Sequence, residues 1–311
     1  MDKTLLQVLH PEWFTETSEF PEEKFPPKKN STVYAERVDK GYKVMKEKKV
    51  VIAGLCINIE KKIPKITRRL NNLKKYFKDV EIVTFENDSK DNTRELLKKA
   101  GITLVPCPED KDCKLKKTNA VSHGIISDKR MRMMADYRNR LLNYIRTNFS
   151  HFDCVIFIDL DIQGPISIDG LAHSFSQYDR WDAVSGYGLS GITLSLGIPV
   201  YYDILAYDDG TFKGHTHCFL NALPITLKTM SKKRGDDIFP IKSGFCGLEL
   251  VKMNVINDPT VTYEPKDGKY ICEHVIFHNN MRDKHFSNIF IDPNLLLLVG
   301  VQGDTKNNLF Y

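Results

Sequence analysis

From Lys49 the chain keeps repeating one unit, a short β-branched apolar run followed by a segment with apolar residues at every third or fourth position. VVIAGLCI precedes IPKITRRLNNLKKYF, EIVTFEND precedes SKDNTRELLKKAG, and ITLVPC leads through a Lys- and Asp-rich loop over 107–128 to DKRMRMMADYRNRLLNYIRTNF. Strands alternating with amphipathic helices at this spacing bury their apolar faces by forming βαβ units, so the expected fold is α/β with a parallel sheet flanked by helices. In the first helix Ile63, Ile66, Leu70, Leu73 and Phe77 make one stripe, with Pro64 in its first turn. Ser89 or Asp91 can cap the second helix, and Gly101 can close it.

The next strand, CVIFIDLDI, has four consecutive apolar residues from Val155 to Ile158 and then Asp159 and Asp161. A run without alternation is how a strand covered on both faces reads. The two acids therefore fall at the carboxyl end of the sheet, where open α/β sheets bind ligands. Carboxylates facing one point repel unless a cation lies between them, and an oxygen-rich pair suits Mn²⁺ or Mg²⁺.

After Gly164 and Pro165 the chain turns to aromatic residues, glycines and short strand-like pieces. Three regions are expected: an N-terminal extension over 1–47 broken by Pro11, Pro21, Pro26 and Pro27, a half of nucleotide-type βα units over 48–170, and a mixed half over 171–311. The 311 residues, 41% hydrophobic, are enough for one large α/β unit. A formal charge of +5 from 45 basic and 40 acidic residues is too mixed for a dedicated nucleic-acid binder, and fits a basic cleft for a small anion. Seven cysteines without a C-x-x-C pair argue for a reducing compartment and no disulfide framework. No apolar run approaches the ~18 residues of a membrane span, and the N-terminus lacks a signal-peptide pattern. A cytoplasmic protein with no integral membrane segment is expected, compatible with peripheral membrane association.

Four features fall on one edge of this sheet. Ala53, Gly54 and Leu55 end the first strand, with Gly54 small enough for a ligand to approach the backbone. Glu86 and Asp88 end the second and can hydrogen-bond a base and ribose. Arg130 and Arg138 lie on the helix before the fourth strand, and guanidinium groups suit diphosphate oxygens. Asp159 and Asp161 supply the metal site. Together they describe a pocket for a nucleoside diphosphate donor and a divalent ion.

TFENDSKDNTRELL, MADYRNRLLNYI, VIFIDLDI, SGFCGLEL and CEHVIFHNNM, spread over residues 48–298, resemble GT-A glycosyltransferases. More narrowly they resemble the fungal capsule-associated α-1,3-mannosyltransferase family and its bacterial and viral relatives. The resemblance implies a GT-A, Rossmann-like sheet and a metal-dependent transfer of a hexose-type sugar from a GDP- or UDP-linked donor to a hydroxyl of a glycan or glycoconjugate. It implies that Asp159 and Asp161 are the D-x-D pair, with Asp161 the direct metal ligand, that Glu86 meets the base, and that Arg138 approaches the nucleotide. Members commonly carry an N-terminal membrane anchor, and none is expected here. A nucleotidyltransferase of sugar phosphates and a catalytically silent nucleotide-sugar-binding module are the alternatives.

An inverting transferase needs a carboxylate to take the acceptor's proton, and the resemblance points to Glu273 at a helix start. Asp203, Asp208 and Asp209 are alternative acids in the same half. His274 and His278 lie four apart on one helix face, so one of them can complete the metal site. Gly244 sits in a loop, KSGFCGLEL, that can form the wall where donor sugar and acceptor meet. His215, His217 and Cys218 offer a weaker zinc-like spacing.

Overall fold

The computed structural model describes residues 19–87, 89–106, 128–162, 164–192, 199–216 and 218–302. The alternating strands and helices expected in the first half appear in order. Strands β1 (Lys49–Cys56), β2 (Asp79–Glu86), β3 (Thr103–Leu104) and β4 (Cys154–Ile158) alternate with helices α2 (Ile63–Lys74), α3 (Thr93–Lys99) and α4 (Asp128–Phe149). All pairs among these four strands are parallel, with β1 between β2 and β4.

β4 shows why its sequence has no alternation. Val155 and Phe157 enter one core with Ala135, Leu141, Leu142 and Ile145 of α4. Cys154, Ile156 and Ile158 enter the other core with Ile66, Leu70 and Leu73 of α2. Both faces of the strand are covered, so every position must be apolar.

The second half adds helix α5 (Ile168–Phe175), strands β5 (Ala183–Ile192) and β6 (Pro199–Tyr201), helix α6 (Cys218–Met230), strands β7 (Phe239–Pro240) and β8 (Leu248–Lys252), helices α7 (Met253–Asn257) and α8 (Glu273–Arg282), and strand β9 (Ile289–Gln302). Among the described residues these nine strands form one sheet in the order β3-β2-β1-β4-β8-β5-β9-β7, with β6 on β5. β8 runs antiparallel to both β4 and β5, whereas β5 and β9 are parallel. Pairing is thus parallel in the first half and mixed in the second, and helices flank the sheet.

The segment before β1 is more regular than its prolines suggest. Helix α1 (Ser31–Glu47) begins just past them and buries Tyr34, Val38, Gly41 and Met45. Glu22, upstream of α1, accepts from the Asp169 backbone N–H at 3.1 Å and from Ser167 Oγ at 2.9 Å, and it pairs with Arg234. The chain ahead of the sheet is therefore fastened to the start of α5.

Candidate active site

The D-x-D acids sit at the seam between the parallel and mixed halves. Asp159 follows β4 directly, and its N–H donates to the Gly247 carbonyl at 2.9 Å, which ties the end of β4 to the loop entering β8. Asp161 lies in the turn beyond, about a third of its side chain exposed, and Lys62 Nζ stands 3.7 Å from its Oδ2. The Tyr202 hydroxyl donates to Asp159 Oδ2 at 3.4 Å. From α4, Arg138 reaches in with Nη2 4.0 Å from Asp159 Oδ1. Its Nε donates to Glu273 Oε1 at 3.0 Å, and both of these side chains are buried.

Acids outnumber the cations that reach them. Burial, and then the charge of Asp161, hold the Asp159 carboxyl well above the usual carboxylate range; Arg138 opposes this, while Asp203 and Glu273 add to it. Asp203 is pushed up to about 7 by burial and by Glu273, against Arg138 and Arg130. Burial works against the Arg138 charge, but Glu273, Tyr263 and Asp159 outweigh it and its pKa rises above the ordinary value. Two backbone outliers frame the cluster, Asp203 with φ +65° and Cys246 with φ +59°. Left-handed backbone at a residue other than glycine costs free energy and concentrates where geometry is functionally constrained.

The two histidines behave differently. His278 is fully buried, with Nε2 2.6 Å from Glu249 Oε1 and Nδ1 3.0 Å from Ser243 Oγ. Both of its ring nitrogens are thus engaged within the core. His274 is buried against the Phe245 ring, with centroids 3.9 Å apart. Neither of its ring nitrogens has a hydrogen-bond partner. Burial, then the charges of Arg138 and His278, hold its pKa well below the usual range, so the ring is neutral and keeps a lone pair.

Do these residues fit a divalent cation? Among the described residues no group of three or more His, Cys, Asp and Glu side chains is gathered as a metal site. A hard cation held by one or two carboxylates, with phosphate oxygens and water completing the shell, needs no such group. Burial first, and the Asp161 charge second, raise the proton affinity of Asp159, and a cation shared with Asp161 would offset both. Asp161 and Asp159 therefore fit Mn²⁺ or Mg²⁺.

The remaining expected donor residues land in varied places. Ala53 is 1% exposed, paired with Val83 on one side and Phe157 on the other, so its side chain belongs to the core and not to a cleft. A Cβ on Gly54 would lie 2.4 Å from the Ile158 carbonyl oxygen and 2.9 Å from Leu160. The small residue there admits the chain that carries the acids, a packing reason for glycine at this position. Leu55 is partly buried against the core. Glu86 is buried, its Oε1 accepting from the Ser89 N–H and its Oε2 held by Arg94 at 2.6 Å. Its carboxylate is thus satisfied within the chain. Asp88 lies outside the described residues. Arg130 is half-buried and its charge reaches Asp203. A Cβ on Gly244 would meet Ile241 at 2.7 Å and Ser185 at 3.3 Å, so this glycine serves packing beneath the loop. His215 is half-buried, while His217 lies outside the described residues.

Two members of the cluster escaped the sequence reading. Lys62 follows β1 in EKK, where a basic residue after the first strand was a visible signal. Tyr202 had none, since only the fold brings it to Asp159, whereas Phe245 lies in the KSGFCGLEL loop already expected to wall the site. Phe245 places its ring 5.1 Å from the Arg138 guanidinium carbon.

No family model matches the chain, and no curated protein does. Among solved structures, glucosyl-3-phosphoglycerate synthase from Mycobacterium tuberculosis is 14% identical over 88% of this chain and 78% of that chain, with a TM-score of 0.45. The same synthase in complex with Mn²⁺, uridine diphosphate and glucosyl-3-phosphoglycerate is 13% identical over 85% and 74%, with a TM-score of 0.44. S. aureus TarS 1-349 is 16% identical over 80% and 59%, with a TM-score of 0.41. Likenesses of this order assign the chain to no family.

Proposed function

We propose that the protein is a GT-A-type glycosyltransferase that moves a hexose from a nucleoside diphosphate sugar to an acceptor hydroxyl, using Mn²⁺ or Mg²⁺. The observation that carries this reading is the placement of Asp159 and Asp161 at the carboxyl end of β4, in one electrostatic cluster with Asp203, Glu273 and the buried Arg138. Asp161, the more exposed acid, would hold the ion together with Asp159. The ion, when bound, neutralises the departing diphosphate. Lys62 stands beside Asp161 and can add positive charge on the same side.

The acceptor's proton needs a group that exchanges near neutrality. Glu273 is hydrogen-bonded by Arg138, and a carboxylate held in this way serves better to orient the guanidinium than to accept a proton. Asp203, with its pKa near 7, is the better matched base. The role that resemblance gave to Glu273 thus passes to Asp203, and Glu273 becomes the positioning partner of Arg138. Calorimetric titration with UDP- and GDP-sugars, with and without Mn²⁺, followed by a donor-turnover assay, tests the proposal. Mn²⁺-dependent binding and release of nucleoside diphosphate are expected; absence of both, for every donor tried, would overturn it.

A further inference from the structure

We infer that one face of α6 docks the protein on an anionic lipid surface. Leu220, Leu223 and Leu227 are 76%, 66% and 63% exposed, and among the described residues the one other exposed large apolar side chain is Val33 at 46%. Steps of three and four residues put the three leucines on one side of the helix, while Ile225, Thr226 and Thr229 are buried on the other. Contiguous exposed apolar side chains on one helix face mark an interaction surface.

The charge around the stripe selects the occupant. From Gly210 to Gly235 there is no Asp or Glu, whereas Lys213, Lys228, Lys232, Lys233 and Arg234 are basic. Arg234 is buried with Glu22, and Lys228 pairs with Asp209 while keeping half its side chain exposed. Lys213, Lys232 and Lys233 are exposed. Leucines on one face with lysines at its edge and beyond its end are the arrangement of helices that lie in the interface of anionic membranes. α6 packs on β6 and on the turn Ile204–Ala206 that follows Asp203, so the docked face lies on the side of the molecule that carries Asp203.

Docking needs neither donor nor metal, so its test is independent of the transferase reading. The full chain is sedimented with vesicles of phosphatidylcholine alone and with about one-third phosphatidylserine. Binding to the anionic vesicles is expected, falling at about 0.5 M salt. The variant with Leu220→Ser, Leu223→Ser and Leu227→Ser should lose about tenfold in vesicle affinity with an unchanged melting temperature. Lys232→Glu with Lys233→Glu should also weaken it, without touching the apolar face. No binding to anionic vesicles, or equal binding to neutral ones, would overturn the inference. So would a vesicle-free dimer that the leucine variant abolishes.

Discussion

Arg138 shows how a residue's chemistry is decided by its partners. The sequence suggested a guanidinium for diphosphate oxygens, but the structure gives its Nε to Glu273 and leaves Nη2 toward Asp159. Removing one member of a buried ion pair leaves the other charged and unpaired, which costs about 3–5 kcal/mol. Arg138→Ala should therefore lower stability by that amount, seen as a shift in denaturant midpoint, before any effect on donor affinity is read. Glu273→Gln keeps the shape and should retain donor binding; a loss of activity as large as that of Asp203→Asn would return the base to Glu273. Asp161→Asn should leave the fold intact and abolish Mn²⁺-dependent donor binding, checked by titration with and without the ion. Wild-type Mn²⁺ dependence in that variant would remove the D-x-D pair from the metal site.

At the level of elements, legibility followed burial. β4 was readable because a strand enclosed on both faces must be apolar throughout, and α4 because it carries a long periodic stripe. α1 was not, since its buried positions are few and separated by charge, and its N-cap, Asn30 in left-handed backbone, makes no side-chain cap bond. Gly41 in α1 gives a prediction whose sign is set by packing against propensity. Alanine gains ~1 kcal/mol over glycine inside a helix, yet a Cβ here would stand 1.7 Å from the Ala172 carbonyl oxygen of α5. Backbone must move to admit it, and overpacking of this kind costs about 1–3 kcal/mol or more. Gly41→Ala should therefore destabilise, with a lowered melting temperature as the readout. The roles of Gly54 and Glu86 were not legible for a related reason. Each sits at the expected strand end, but what Gly54 meets, Ile158 and Leu160, depends on how distant segments pack, and what Glu86 meets, Ser89 and Arg94, depends on how the turn into α3 folds back.

Across the whole molecule, buried acids of two kinds set the pH dependence of stability. Burial acts to raise the Asp292 carboxyl, but His173, the Asn294 N–H and Ser174 outweigh it and hold the group below the ordinary range. Its stabilising contribution is present above the unfolded-state value of ~3.9 and is lost as pH falls through the folded value. Asp203 and Glu22 are raised, chiefly by burial. Their contribution is complete below the unfolded carboxylate values and is lost as pH rises, for Asp203 up to about 7. The melting temperature should accordingly peak on the acid side of neutrality and decline towards pH 8. Asp203→Asn, which tolerates left-handed backbone, should flatten that decline by about 2 kcal/mol, the full linkage value discounted for partial exposure. A divalent ion at Asp159 and Asp161 competes with the proton for the same carboxylate cluster. Mn²⁺ should therefore raise the melting temperature more at pH 8 than at pH 6, and Asp161→Asn should erase the difference. An equal Mn²⁺ effect at both values, persisting in Asp161→Asn, would place the ion elsewhere on the protein.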